Sequence, residues 1–393
     1  MNLLDNLGSL KSNLTSPETK QNKTIKFIHA SDLHLGSHQY EKSHRSDDYI
    51  LALQEILTIA YENFVDFILF GGDVFNSLDI LPGKMDAIIE VLQEFKKATN
   101  GKILIIAIEG NHDIRRYSHG IKFGHRNQSW LKVCANLGLL VLLDADIQAP
   151  SDQIFQTYDF EKGKGGKIQI KNITIYGTRY LGERPISQLS KIRKAIKKEK
   201  GIYTVLLQHF GVEGQMKQVP GVSLDLLKPF HHRIDYLALG HFHKQFVIDD
   251  WIYNPGSAEA VCSMDFCFKR GIFLVEISGI DYFTKKVTMI PLRNRKAIWR
   301  SIIIPCPFKN KNQFYAYIVK RLKETSEWKQ SGMESPDKSF SYLFLTLRGM
   351  NPFVNQKFNS KELQNILNEQ LPIIGARIYL KFESKSITLE NYL

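Results

Sequence analysis

The chain has 393 residues, 43% of them hydrophobic, and a formal charge of +12, enough apolar material for one large and one smaller domain. No apolar run approaches the roughly eighteen residues of a membrane span, and MNLLDNLGSLKSNLTSPETK lacks the basic-then-apolar order of a secretion signal, so neither a membrane partner nor export is expected. The four cysteines, Cys134, Cys262, Cys267 and Cys306, form no C-x-x-C pair and read as free thiols of a reducing, cytoplasmic compartment.

Residues 1–23 are polar and aperiodic and read as a flexible tail. From Thr24 strand-like and helix-like runs alternate. TIKFIHA (24–30) predicts a buried strand, 49–64 a helix, VDFILFGGD (65–73) a strand, 84–99 a helix, and KILIIAIEGN (102–111) a third strand. This β-α-β-α-β order predicts parallel strands with helices packed outside. From about 150 the texture changes to paired strands, at 167–180, 202–210 and 235–243, followed by FVIDDWIYNPG and GIFLVEI. The turn EKGKGGK (161–167) reads as a hairpin turn, and KIRKAIKKEK (191–200) as a basic helix. After Pro291 a strand, a helix, a strand, a helix and a strand predict a compact second unit, with a polar loop at 325–338. That segment carries 17 Lys+Arg against 8 Asp+Glu, nine of the twelve excess positive charges. Such a concentration suits a polyanion, nucleic acid above all, although a basic surface also serves solubility.

Side chains suited to a hard or borderline cation stand where the strand-like runs end. The first ends Ser31-Asp32-Leu33-His34, the second Gly71-Gly72-Asp73, and the third Glu109-Gly110-Asn111-His112-Asp113. Two later runs end at His209 and at Gly240-His241-Phe242-His243. Alone, H-x-H is as well read as a strand end packed into the core. Asp32 or Asp73 alone is as well read as a turn or cap. Five such tips in one chain are a different matter, because ligands gather beyond the carboxyl ends of sheet strands. Aspartate, asparagine and histidine without thiolate form a nitrogen and oxygen set suited to manganese, iron or zinc. Seven ligands are too many for one ion and fit two.

In this order D-x-H, G-D, G-N-H-D, a lone histidine and G-H-x-H resemble the five motifs of the calcineurin-like metallophosphoesterases. ASDLHLG, the Arg-Ser-Asp-Asp helix start, DFILFGGDVF, AIEGNHD and LALGHFHK are most similar to the branch of DNA double-strand-break repair nucleases. That branch comprises bacterial SbcD and its meiotic-recombination-eleven counterparts. The resemblance implies an α/β fold, a four-layer β-sandwich flanked by helices over 24–290, with a smaller α/β capping domain that binds DNA over 291–393. It implies one metal held by Asp32, His34, Asp73 and His243. A second would be held by Asp73, Asn111, His209 and His241, with Asp73 bridging and Mn2+ the expected ion. His112 would face the phosphate, and from adjacency Asp113 is expected to orient it. The implied reaction is exonuclease and endonuclease hydrolysis of DNA phosphodiesters by a metal-bound hydroxide. The implied partners are DNA, a second copy of the chain, and an SbcC-like coiled-coil ABC-type ATPase.

Two positions depart from that pattern. Some relatives carry a histidine where this chain has Asn76, and the terminal KFESKSITLENYL shows no clear docking helix for an ATPase. Other readings are a phosphoesterase acting on nucleotides or phosphoproteins, or a non-catalytic DNA-binding subunit. His29 reads as a core histidine; His38, His44, His119 and His125 read as surface near the motifs.

Overall fold

The protein is described by a computed structural model over residues 24–37, 43–114, 117–118, 121–122, 129–305, 308–324, 340–351 and 359–382. The tail read at 1–23, the loop at 325–338, the segment from 383, Cys306, and His38, His119 and His125 lie outside the described residues, as does the side chain of His44. Two compact units divide the chain. One comprises residues up to Gln39 with Arg45–Arg293, the other Tyr40–His44 with Asn294–Leu393.

The first unit opens with β1 (Ile25–Ala30), α1 (Ser43–Glu62), β2 (Phe67–Phe70), α2 (Pro82–Ala98) and β3 (Leu104–Ala107). A short ladder of β4 (Tyr117–Ser118) and β5 (Ile121–Lys122) precedes α3 (Trp130–Asn136) and β6 (Val141–Leu142). Helix α1 begins well before the apolar periodicity at Tyr49. Its first turns bury an ion pair, Arg45 Nη1 to Asp48 Oδ2 at 2.6 Å, which an apolar pattern does not reveal. Strands β1, β2, β3 and β6 are mutually parallel, as β-α-β units require. On the other side of β1 run β13 (Ile272–Ser278) and β14 (Thr284–Ile290), both antiparallel to their neighbours, giving the order β14-β13-β1-β2-β3-β6.

The second sheet has the order β11-β12-β10-β9-β8-β7. Its strands are β7 (Lys167–Ile170), β8 (Ile173–Gly177), β9 (Tyr203–His209), β10 (Tyr236–Gly240), β11 (Phe246–Ile248) and β12 (Ile252–Asn254). The paired texture of the sequence holds for the hairpins β7-β8 and β11-β12, whereas β8, β9, β10 and β12 run parallel. The expected turn at 161–167 closes on an antiparallel bridge, Asp159 to Lys164. The basic helix read at 191–200 is instead α4 (Ile186–Ala195). It stops where fully buried Ile196 takes an extended conformation.

Alternation along the strands decides the layering. Phe27, Phe67, Leu69 and Ile106 of the first sheet meet Val205, Leu207, Tyr236, Ala238 and Tyr253 of the second in one core between the sheets. The opposite face of the first sheet packs on α1, α2 and α3 through Ile28, Ile68, Phe70, Leu53, Ile88 and Leu131. The outer face of the second packs on α4 and the segment around Phe230. The result is a four-layer α/β sandwich whose central strands are buried on both faces.

In the second unit β15 (Ala297–Ile304), β16 (Ser341–Gly349) and β17 (Ile373–Phe382) form a three-stranded parallel sheet in sequence order. Helices α5 (Lys311–Lys323) and α6 (Ser360–Gln370) pack on one of its faces. Each opens on an asparagine cap, Asn310 and Asn359, accepting a bond from a backbone N–H of the first turn.

Among the described residues no helix is long and apolar enough to cross a membrane. Of the cysteines, Cys134 is buried, Cys262 and Cys267 are exposed, and all three are free thiols.

Candidate metal centre

Beyond the carboxyl ends of β1 and β2 the two chains stay paired after the sheet has ended. Asp32 N–H donates to Gly72 O, and His34 N–H to Asp73 O, each at 3.0 Å. They manage this by kinking. Asp32, His34 and Asp73 adopt φ values of 52°, 47° and 48°, and His241, just past β10, has φ 90°. A bulky residue in the left-handed region is strained, and such strain persists only where surrounding structure enforces it. Two glycines permit the close approach. A Cβ on Gly72 would stand 2.5 Å from His209 Nδ1, and one on Gly240 would stand 2.3 Å from Gly71 O.

The kinks aim the side chains inward. One ligand atom each from Asp32, His34 and His243 lie within 4.8 Å of one another, as do those of Asp73, His209 and His241 and those of His34, Asp73 and His112. Asn111 Oδ1 lies 3.1 Å from His209 Nε2 and 3.0 Å from His241 Nδ1. Asp73 therefore stands between two groups, touching both His34 (3.9 Å) and His209 (3.3 Å) through Oδ2. Asp32, His34, Asp73 and His209 are almost wholly buried, while Asn111, His112, His241 and His243 are half-buried at the open side. Phe242, between the two histidines of the last strand end, turns into the outer core against Phe246. Tyr180 flanks the open side, its ring 5.9 Å from that of His209 and 5.8 Å from that of His241.

The hydrogen bonds fix which imidazole nitrogen is which. His34 Nδ1 donates to Asn76 Oδ1 at 3.2 Å, and His243 Nδ1 to Asp265 Oδ2 at 2.8 Å. In its neutral form each is thereby left with a lone pair on Nε2, and those two Nε2 atoms face each other 3.1 Å apart. His209 Nδ1 donates to Gly71 O at 2.7 Å, so its Nε2 points at two oxygens, Asn111 Oδ1 and Asp73 Oδ2. Lone pairs converging in this way repel unless a positive centre lies among them. The pocket favours positive charge strongly: against the effect of burial, Asp73 raises His209 to about 9. Burial likewise opposes the charge on Asp73, yet His209, His34 and His112 hold its carboxyl well below the usual range. Burial drives Asp32 the other way, upward, and with His209 it pushes His241 down to about 3. A nitrogen and oxygen donor set with its lone pairs turned inward fits divalent cations.

The residues around the ligands carry corrections. His112 Nδ1 donates to the Asn76 carbonyl at 2.9 Å, and its backbone N–H to Asp73 Oδ1 at 2.7 Å. The orienting role expected for Asp113 falls elsewhere, because its carboxylate accepts the backbone N–H groups of Val74, Phe75 and Gly110. Asp113 ties the second and third strand ends together and acts on His112 only through the loop. Asn76, noted in the sequence only as a departure, holds both His34 and His112. Sequence pattern did not point to Asp265 behind His243. Nor did it mark Asn254, whose Nδ2 donates to the carbonyls of Phe242 and Lys244 and so braces the loop bearing His243. The Arg-Ser-Asp-Asp start proves structural. Arg45 donates to the Ala260 carbonyl at 2.8 Å and lies 3.5 Å from Glu259, anchoring α1 to the segment preceding Asp265.

A family model described as calcineurin-like phosphoesterase matches residues 25–245, which contain every ligand-type side chain named above. Two similar curated proteins are named DNA double-strand break repair protein Mre11. That of Archaeoglobus fulgidus is 29% identical over 242 residues, 60% of this chain and 50% of the relative. That of Methanocaldococcus jannaschii is 26% identical over 285 residues, 69% of this chain and 68% of the relative. A Bacillus subtilis protein named uncharacterized metallophosphoesterase YhaO is 25% identical over 269 residues, covering 65% and 58%. The chain spans about half the length of the first of these relatives.

Proposed function

Because the chain belongs to the calcineurin-like phosphoesterase family, we propose that it is a metal-dependent DNA nuclease of double-strand-break repair. One observation carries the reading. Two groups of inward-turned ligand atoms, Asp32-His34-His243 and Asp73-His209-His241, adjoin where Asp73 reaches His34, and the imidazoles of His34, His209 and His243 are each held through Nδ1 from behind. Asp32, His34, Asp73 and His243 would hold one divalent ion, and Asp73, Asn111, His209 and His241 the other, manganese in our reading. When bound, such a pair supplies Lewis acidity and a water activated near neutral pH.

The protein's own groups do the rest. Asp265 and Asn76 keep His243 and His34 in the Nε2-ligating tautomer, and Gly71 O does so for His209. His112 has its Nδ1–H committed to a carbonyl, so substrate chemistry falls to Nε2. We assign that atom to a non-bridging phosphoryl oxygen and to protonation of the leaving oxygen. DNA as substrate is supported by the names of the similar proteins and by the basic segment after Pro291. We extend the same reading to a homodimer that works with an SbcC-like coiled-coil ABC-type ATPase.

The test is manganese-dependent digestion of single-stranded circular DNA and end-labelled duplex, beside a small phosphomonoester. The parent should digest DNA with manganese and stop with chelator. Asp73→Asn and His112→Ala should each lower the rate by about 100-fold or more. Turnover of the monoester without DNA cleavage would point to a different phosphoesterase. Unchanged DNA processing in both variants would sink the catalytic reading in favour of a scaffold.

A further inference from the structure

One aromatic side chain at the candidate metal centre takes no part in holding an ion. Tyr180 follows β8, and its segment is braced to two strand ends that bear ligand-type residues. The Tyr180 backbone N–H donates to Glu109 O at 2.7 Å, two residues before Asn111. Buried Thr178 accepts through Oγ1 a bond from Gln208 Nε2 at 2.9 Å, directly before His209. On the far side Leu181 packs on the outer core. The ring is therefore set in place before any substrate arrives.

Tyr180 is only partly buried, and among the described residues its hydroxyl makes no hydrogen bond. Its ring neighbours are His209, met edge-on at 76°, and His241, tilted by 34°, so neither lies flat against it. Both belong to the ligand set assigned to one ion. His112 stands instead against His34 of the other set, ring centres 4.6 Å apart. Two rings outside the ligand sets thus mark two sides of the centre. A phosphodiester with its phosphorus among the ligands carries two ester groups that diverge. The leaving oxygen is assigned to His112, which puts the retained group on the Tyr180 side. A phenol ring there suits a nucleobase, which offers a π-face to stack on. The aliphatic ester of a phosphorylated serine or threonine offers none.

We propose that Tyr180 is a specificity-determining residue, stacking on the base of the nucleotide whose phosphate is retained, so that the site favours nucleotidyl esters over esters without a base. The inference rests on the reading that the protein hydrolyses DNA phosphodiesters, and it adds the side chain that meets the substrate's nucleoside. Every base has a π-face, so the contact is indifferent to sequence.

Two diesters with one leaving group isolate the contact in the full chain with manganese: the p-nitrophenyl ester of thymidine monophosphate, and methyl p-nitrophenyl phosphate. Each releases p-nitrophenol as water replaces it at phosphorus, and only the first retains a base. Tyr180→Ala should lower kcat/KM on the thymidine ester about tenfold, mostly through KM, the loss of one stack. Turnover of the methyl ester should stay within about twofold of the parent. Tyr180→Phe, which keeps the ring, should retain the preference for the thymidine ester. Equal loss on both esters, parent-like kinetics in Tyr180→Ala, or loss of the preference in Tyr180→Phe overturns the proposal. Calorimetry reads the contact without turnover. Thymidine monophosphate should bind Tyr180→Ala about tenfold more weakly than the parent, while methyl phosphate binds both alike; parent-like binding of the nucleotide overturns the proposal. A parent that cuts DNA but shows no Tyr180 effect in either assay removes this contact alone. One that binds the nucleotide through Tyr180 yet hydrolyses neither ester nor DNA removes the nuclease reading alone.

Discussion

His243 meets the candidate metal centre through Nε2 only because Asp265 Oδ2 engages Nδ1 from behind at 2.8 Å. Against burial, the bond from His243 holds Asp265 down at about 2, so the carboxylate stays charged over the working range. Asp265→Ala should therefore weaken manganese binding by about 10- to 100-fold, read by titration calorimetry; an isotherm like the parent's would rule the role out. A second residue makes a different demand. His29 is fully buried in β1, its Nε2–H donating to Leu239 O at 3.0 Å, with Nδ1 3.1 Å from the Tyr236 hydroxyl. Burial pushes its pKa down to about 3. The folded state thus refuses a proton that the unfolded chain accepts near pH 6.5, so its contribution is full above that pH and falls away toward pH 3. The slope is about 1.4 kcal/mol per pH unit from this group. Urea unfolding at several pH values should show the parent losing more stability on acidification than His29→Gln; parallel pH profiles would contradict this. The side chains that the structure gathers at the candidate centre, and His29, were legible because each stands at the end of, or within, a strand-like run. Asp265 was not, because its partner is 22 residues away in a segment without periodicity, and only the fold turns it toward the site.

At the scale of elements, β1, β2, β3, β9 and β10 were readable because strands buried on both faces are written as unbroken apolar runs. Their neighbours were not readable. That β13 lies beside β1, or that β8, β9 and β10 run parallel, is decided by packing between distant segments, on which local composition is silent. Helix limits slipped for the same reason, at α1 through a buried ion pair and at α4 through buried Ile196. A tight seam joins the ends of β2 and β10, where Gly240 pairs with His209 and lies against Gly71. Gly240→Ala should cost about 1–3 kcal/mol in urea unfolding, as overpacking does, and should weaken manganese binding by moving His209. A variant with parent stability and parent affinity would show that the seam has slack.

Across the whole molecule, the break in pattern after Pro291 and the excess of Lys+Arg beyond it stand in the sequence itself, whereas the inclusion of Tyr40–His44 in the second compact unit does not. Nor does the face that the sheet of the second unit turns to its helices, because only register reveals which side chains share a face. In the first unit the candidate centre draws Asp32, His34, Asp73 and Asn111 from one sheet and His209, His241 and His243 from the other. Cation binding should accordingly stabilise the fold, by about 2.7 kcal/mol at a hundred times the dissociation constant. Manganese should raise the melting temperature and chelator lower it, whereas melting indifferent to both would deny the centre a cation. The same seam makes the ion a gauge of alignment. Coordination tolerates displacements of only about half an ångström, and a close-packed core of low compressibility passes strain on to it. A substitution between the sheets, at Phe27 or Tyr236 for example, would first register as a slipped vernier, with ion affinity gone while the layers still stand.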